Sequence, residues 1–352
     1  MKTLTCLLLT PLTLLGTQPH TDYSADRTLR VERSFTVNSE MVDMVMIVDG
    51  EEREGGFGGG ANERTLTITT LDKVLEHKDG QPTKISRTLE TISMEGSMTF
   101  RDEPQEFERT SPSEGIELEL FLAKNGDLEY KLTEGDEPEG TDFGSLLLTQ
   151  EIDAFLPGEE VEEGDSWDLD AEALVQGLGL GLEQSLFGRA EPQGERGERG
   201  ERGGGRRGGM RGGRGGGLSG AALSNLEWEG EAKWTAETEV VEELECIVIE
   251  LSLEAEGTLP ERERQGRGGR GGGGGLWSLA STSKSQPKET SVELELEGQL
   301  LWSLEENRPV SLTLKGDFVQ DMERDSSWGD REVSMSSSTE GEIEIEVTIT
   351  VE

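Results

Sequence analysis

The last twelve residues, Gly341 to Glu352, alternate without a break. Ile343, Ile345, Val347, Ile349 and Val351 fall on one side, and Glu342, Glu344, Glu346, Thr348 and Thr350 on the other. Successive side chains of a strand point to opposite faces, so this stretch demands a sheet with one apolar face and one acidic face. A chain built on this grammar folds by pairing strands and covering one side of them. It is a poor substrate for a helical bundle or for a parallel sheet buried on both faces.

The same pattern recurs. Leu29 to Val37 places Leu29, Val31, Arg33, Phe35 and Val37 on one face, and Met41 to Val48 reads as its partner strand. A Gly-rich break follows over 55–60. Thr65 to Leu75 and Lys84 to Ser93 flank Asp79-Gly80-Gln81-Pro82, and Met94 to Arg101 continues the second of them. An Asp-Gly pair between alternating runs predicts a hairpin, because both residues tolerate positive φ. Asn125-Gly126 predicts another, between Gly115–Leu122 and Leu128–Leu132, and an acidic loop follows over 134–142.

The middle of the chain changes character. Leu147, Leu148, Ile152 and Phe155 stand at near-helical spacing in Phe143–Phe155, which ends before Pro157-Gly158 and reads as a short helix. Leu174, Leu178, Leu182 and Leu186 recur every fourth residue behind a capping Asp170, which reads as a second helix. Gly177, Gly179 and Gly181 weaken it by about 1 kcal/mol each relative to alanine.

Strands then return: Leu226 to Glu237, Val240 to Glu256, Ser291 to Trp302, and Val310 to Gly316 after a turn at Glu306-Asn307-Arg308-Pro309. Phe318 to Gln320 leads into a Ser-rich loop holding Trp328. The two proline-bearing turns echo each other and suggest an internal duplication, 27–135 against 223–352. The expected fold is mainly β: one large antiparallel, curved sheet in two related halves, or two lobes, with one or two short helices between. Trp228, Trp234, Trp302 and Phe318 are expected on the apolar face.

The domain plan has an export signal over 1–25, a first β half over 26–142 and the helical segment over 143–190. An Arg/Gly-rich disordered loop over 191–220 follows, then a second β half over 221–352 with a similar insert at 261–275. Met1 to Gly16 carries Lys2 and an apolar stretch too short to remain as a membrane anchor, and Gly16, Thr17 or Ala25 are candidate cleavage points. Cys6 lies inside the signal. Cys246 is then alone, which makes an intramolecular disulfide impossible and a small core residue the natural role.

Charge excludes further classes. The 352 residues carry a net charge of −41, and only 32% are hydrophobic because Gly-rich and acidic loops dilute the strands. Such a charge repels nucleic acid and anionic membrane surfaces. Gly194–Gly217 carries seven arginines against three glutamates, a local +4, and resembles segments that track phosphate backbones. The overall charge and the absence of aromatic residues inside the block argue for a flexible, exposed loop instead. Asp165, Asp168 and Asp170 lack the spacing of a calcium loop, since Gln176 stands where the last ligand would be. His77 is the one histidine beyond the signal and sits by a hairpin turn, which leaves neither a Ser–His–Asp device nor a zinc set. No catalytic, cofactor or metal residue is assigned.

Leu156-Pro157, Val161 and Gly164-Asp165-Ser166-Trp167 resemble a motif of uncharacterised exported bacterial β-sheet proteins. Lys73 to Lys84 and Gly298 to Gly316 are similar to them as well. The resemblance implies an envelope location, periplasmic or extracellular, and a large sheet akin to curved sheets that carry lipid or lipoprotein. It implies no catalytic residue. The expected function is therefore a non-catalytic exported envelope protein. It would bind an apolar or polymeric ligand in the concavity of its sheet, or an envelope component through its acidic face and Arg/Gly-rich loops. No nucleic-acid partner and no integral membrane span are expected.

Overall fold

The computed structural model describes residues 21, 23, 27–53, 60–100, 103–149, 152–187, 218–259, 289–328 and 331–352. Most of the export signal, the Gly-rich break over 55–59 and both Arg/Gly-rich blocks, 194–217 and 261–275, lie outside the described residues.

Among the described residues, thirteen strands form one antiparallel sheet. They are β1 (Thr28–Val48), β2 (Glu51–Arg53), β3 (Ala61–Lys78), β4 (Gln81–Phe100), β5 (Glu103–Thr110), β6 (Glu117–Leu122), β7 (Leu128–Glu134), β8 (Ser166–Asp168), β9 (Glu227–Val241), β10 (Leu244–Leu259), β11 (Thr290–Ser303), β12 (Arg308–Trp328) and β13 (Arg331–Val351). The order is β7-β6-β4-β3-β1-β13-β12-β11-β10-β9-β8, with β2 beside β1 and β5 beside β4. Each half is a meander of neighbouring strands, and the halves meet where β1 pairs with β13. The sheet is not closed: β7 and β8 are its two ends.

The turn chemistry explains most of this register. Asp79 and Gly80 both have positive φ and close the β3–β4 hairpin. Asn125 and Asp127 brace the β6–β7 turn by side-chain hydrogen bonds, with Gly126 at φ 88°. The β9–β10 turn is unlike these, because Glu242 and Glu243 take positive φ (51° and 72°) without glycine or asparagine.

Three expectations are corrected. Leu29–Val37 and Met41–Val48 are not partners but one strand, β1; Asn38-Ser39-Glu40 is held in the ladder by β3 and β13 on either side, and a bulge at Val42 absorbs the irregularity against β13. Phe143–Phe155 is not a helix but two 3₁₀ turns, Phe143–Ser145 and Ile152–Phe155, and Asp142 makes no side-chain capping bond to the first. The Ser-rich stretch around Ser334–Ser338 is not a loop. It is strand, because Met44–Ile47 of β1 and Met322–Asp325 of β12 pair with it from both sides. Two available ladders outweigh the weak strand preference of serine.

The leucine-every-fourth segment does form helix, in two pieces: α1 (Ala171–Gly177) and α2 (Leu182–Phe187). Asp170 caps α1 through Ala173 N at 2.9 Å. The break falls at Gly179, whose φ of 68° suits glycine. A third short helix, α3 (Gly220–Leu223), precedes β9.

These helices cover one face of the sheet. Leu174, Leu178 and Leu186 are buried, as are Trp228, Trp234, Trp302 and Phe318 from the strands and Ile343, Ile345, Val347 and Ile349 from β13. Val351, at the end of β13, is 40% exposed.

The sheet must curl around them. A methyl group on Gly230 of β9 would lie 3.3 Å from Leu174, whereas the Leu186 carbonyl accepts a hydrogen bond from Ser111, itself bonded to Ile92 of β4. On a flat sheet β9 and β4 stand seven steps of about 4.8 Å apart, or about 34 Å. The twelve-residue step from Leu174 to Leu186, two short helices joined by a tight turn, would span about 18 Å if it were helical throughout. Gly298 and Gly316 make the bending possible, since a Cβ on either would come within 1.9 and 1.8 Å of a carbonyl oxygen on the neighbouring strand.

Candidate functional site

A charged residue at an apolar position of a strand costs free energy unless something answers it. Four polar side chains interrupt the apolar face where β1, β3 and β4 run side by side. Arg33 lies between Val31 and Phe35, Thr70 opposite Val31 and Leu89, and Asp72 opposite Leu29 and Arg87. All four are buried.

Arg87 and Asp72 form a two-point ion pair, with Nε to Oδ1 at 2.7 Å and Nη2 to Oδ2 at 2.6 Å. The third arm of Arg87 donates to the Leu147 carbonyl at 3.0 Å and ties the sheet to its cover. Arg33 experiences the same surroundings as a net cost. Its pKa falls to about 10, first through burial and then through the charge of Arg87, with Asp72 and Tyr23 acting in the opposite direction. It remains charged at neutral pH. Among the described residues, Thr70 Oγ1 has no hydrogen-bond partner. The sheet is bulged beside it: Thr69 faces Thr91 and Thr70 faces Leu89, which leaves Glu90 without a cross-strand residue in β3. Bulges of this kind re-aim the neighbouring side chains.

These groups open onto a cavity of about 220 Å³ between sheet and helices. Arg33, Arg87, Thr70 and Gln176, with Ser145, Thr149, Ser185 and Ser224, supply its polar wall, and Ile68, Leu89, Leu146, Val175, Leu182 and Leu186 its apolar wall. The cover is fastened on every side. Arg64 of β3 pairs with Glu183 of α2. Ser111 and Ser113 hydroxyls donate to the Leu186 carbonyl at 2.6 and 2.7 Å. Arg109 donates to the Phe187 carbonyl at 3.2 Å and lies 4.9 Å over the Phe187 ring. These donors satisfy the carbonyls that a helix end leaves open. The cover thus occupies the concavity left open by the sequence, and this cavity is a space left between cover and sheet among the described residues.

The opposite face carries a second depression. An open groove of about 1400 Å³ crosses β9–β12, lined by Glu229, Glu231, Glu250, Glu254 and Glu297 with Lys233 and Lys315. Lys315 also pairs with Glu344 of β13.

The other residues singled out in the sequence have local roles. Asp165 accepts from Glu162 N, and Asp170 is the α1 cap. Gly164, at φ 95°, donates to the Trp234 carbonyl, and Trp167 Nε1 donates to the Phe155 carbonyl at 3.2 Å. The Leu-Pro…Gly-Asp-Ser-Trp motif therefore docks the 3₁₀ segment onto the β8–β9 end of the sheet. His77 is exposed in β3 near its turn. Cys246 is buried in a small outer-face cluster with Val248, Leu301 and Val310, and burial pushes its thiol pKa up. Tyr23, within the stretch assigned to the export signal, is buried in the main core, and Thr21 bonds Asp153.

Thr70, Asp72 and Arg87 were not singled out by sequence reasoning. The signal was present, since Arg87 falls in phase between Ile85 and Leu89, and Asp72 in phase before Val74. Arg33 was already placed on the apolar face.

No protein-family model matches this chain, and no curated protein matches it in sequence. Among the described residues no helix is long and apolar enough to cross a membrane.

Proposed function

We propose that this is a non-catalytic exported protein of the cell envelope that binds a small apolar ligand on the inner face of its curled sheet. The observation that carries the reading is the cavity of about 220 Å³ between sheet and helical cover, whose wall combines aliphatic and polar side chains and presents mostly apolar surface. The apolar amino-terminal stretch with Lys2 supports export. The ligand class follows from the walls, because a largely apolar pocket with a few convergent polar groups is the usual form of a small-molecule site. Calorimetry with a series of 1-alkanols tests it. Saturable one-to-one binding with a negative heat-capacity change is expected, because apolar surface is buried. Absence of saturable binding across alkanols and alkanoates would refute the reading.

The acidic groove across β9–β12 favours a second reading, an interaction with a cationic envelope component. Surface retention of the chain lacking 194–217, and of a chain with Glu229, Glu231 and Glu250 changed to Gln, separates the two. Loss of retention in the Gln variant with alkanol binding intact would favour the groove.

A further inference from the structure

Methionine is distributed unevenly. Of nine in the chain, the seven among the described residues lie in four strands: Met41, Met44 and Met46 in β1, Met94 and Met98 in β4, Met322 in β12 and Met335 in β13. On β1, β12 and β13 the main core ends at Val37, Phe318 and Ile343, and its residues on these strands are aliphatic or phenylalanine. The methionines of the three strands begin beyond that limit. Register puts four of them on one face. Met46 faces Met335, and Met44 and Met322 both face Ser337, from opposite sides. Ser337 and Met335 stand in phase with Ile343 on β13, so all four methionines belong to the inner face. Residues directly opposite are about 4.5–5.5 Å apart and diagonal neighbours about 7–8 Å. Met335 therefore has Met46 across from it and Met44 and Met322 on its two diagonals. All four are half-buried, and only Met94 of the seven joins the main core.

We propose that this patch binds a soft monovalent metal ion, Cu(I), through the thioether sulfurs of Met44, Met46, Met322 and Met335, with Met335 at the centre. The proposal is independent of the cavity beneath the helices. A need for apolar surface does not explain the residue type. β-Branched and aromatic side chains suit a strand better, and they predominate on the covered part of the same three strands. Methionine adds a polarisable sulfur on a side chain with three rotatable bonds, so sulfurs from neighbouring positions can converge. Thioethers select Cu(I), whereas magnesium, calcium and manganese take oxygen ligands. The donor set is neutral, and in register Arg324 faces Met335 and Arg53 faces Met46. A divalent ion finds no opposite charge on this face, and only an ion with affinity for sulfur is held. The net charge of −41 still draws cations toward the molecule as a whole. A thioether has no proton to release, unlike a thiol or an imidazolium, so the affinity does not depend on pH.

Cu(I), kept reduced without oxygen, is titrated in competition with bicinchoninate into the full chain carrying Cys6→Ser. The methionine methyl groups are labelled with carbon-13 and assigned by single Met→Leu variants. One equivalent is expected to bind. The methyl signals of Met335 and of at least two among Met44, Met46 and Met322 should shift together, and that of Met94 should stay. Met46→Leu with Met335→Leu should weaken binding about a hundredfold, and Met335→Leu alone about tenfold. Leucine replaces methionine at nearly constant volume, so the single variant keeps the test open if the double one does not fold. Affinity should be equal at pH 6 and pH 8, and Zn(II) should move none of the four signals. Absence of these shifts at one equivalent overturns the proposal. So does binding that survives both variants, or that strengthens with pH as capture by Cys246 or His77 would.

Discussion

Leu29, at the beginning of β1, faces Val351, at the end of β13. The first and last strands are thus neighbours at the middle of the sheet, and the final strand is a seam between two meanders rather than an edge. Removing Gly341–Glu352 deletes the stretch of β13 whose partners run from Leu29 to Ser39 in β1 and from Ser311 to Phe318 in β12. The truncated chain should show no cooperative thermal transition. A retained transition in circular dichroism would mean the halves fold independently.

The buried ion pair makes a prediction. Asp72→Asn leaves the Arg87 guanidinium without its carboxylate and should cost about 3–5 kcal/mol, the usual penalty for breaking a buried ion pair. Urea unfolding at neutral pH reads it. An unchanged stability would show that the pair contributes nothing to the fold.

Glu242 and Glu243 occupy left-handed conformations that L-residues with side chains resist, at about 1–2 kcal/mol each. Asn-Gly is the preferred pair for a two-residue hairpin with both φ positive. Glu242→Asn with Glu243→Gly should raise stability by about 1–2 kcal/mol and leave ligand binding unchanged. A lower melting temperature would show that the glutamates make compensating interactions.

Cys246 is fully buried and its thiol is harder to ionise than a free one. In a chain carrying Cys6→Ser, a water-soluble disulfide reagent should label nothing in the native protein between pH 7 and pH 9, and one thiol after denaturation. Rapid labelling of the folded protein would place this cysteine at the surface.

Tyr23 sits in the core and Thr21 bonds Asp153. Of the three candidate cleavage points, Gly16 and Thr17 keep these contacts and Ala25 loses them. Mass spectrometry of the exported protein should find an amino terminus before Thr21. A mature chain beginning at Asp26 would contradict this.

The legible part of the fold was the part written in two-residue alternation and turn residues. Ile343 to Ile349 declared their face, and Asp79-Gly80 and Asn125-Gly126 declared their hairpins. The misread segments were those in which partners decide. Leu29–Val37 and Met41–Val48 read as two partner strands, and Ser334–Ser338 as a loop, until neighbouring strands supplied ladders on both sides. Leu147, Leu148 and Ile152 mimicked a helix period, but only Phe143–Ser145 and Ile152–Phe155 turn, as 3₁₀, while Leu147 gives its carbonyl to Arg87 of the sheet. The polar corner was half legible: Arg33 stood in an apolar phase, but its conjunction with Thr70 and Arg87 requires the order β1-β3-β4 and the bulge at Glu90.

The central claim is that the space beneath the helices takes a small apolar molecule. A crystal grown with 6-bromo-1-hexanol tests it most directly, since bromine is located by its anomalous signal. The account predicts bromine among Ile68, Leu89 and Leu186. Bromine on the outer face, or a cavity holding only water at saturating ligand, would contradict it.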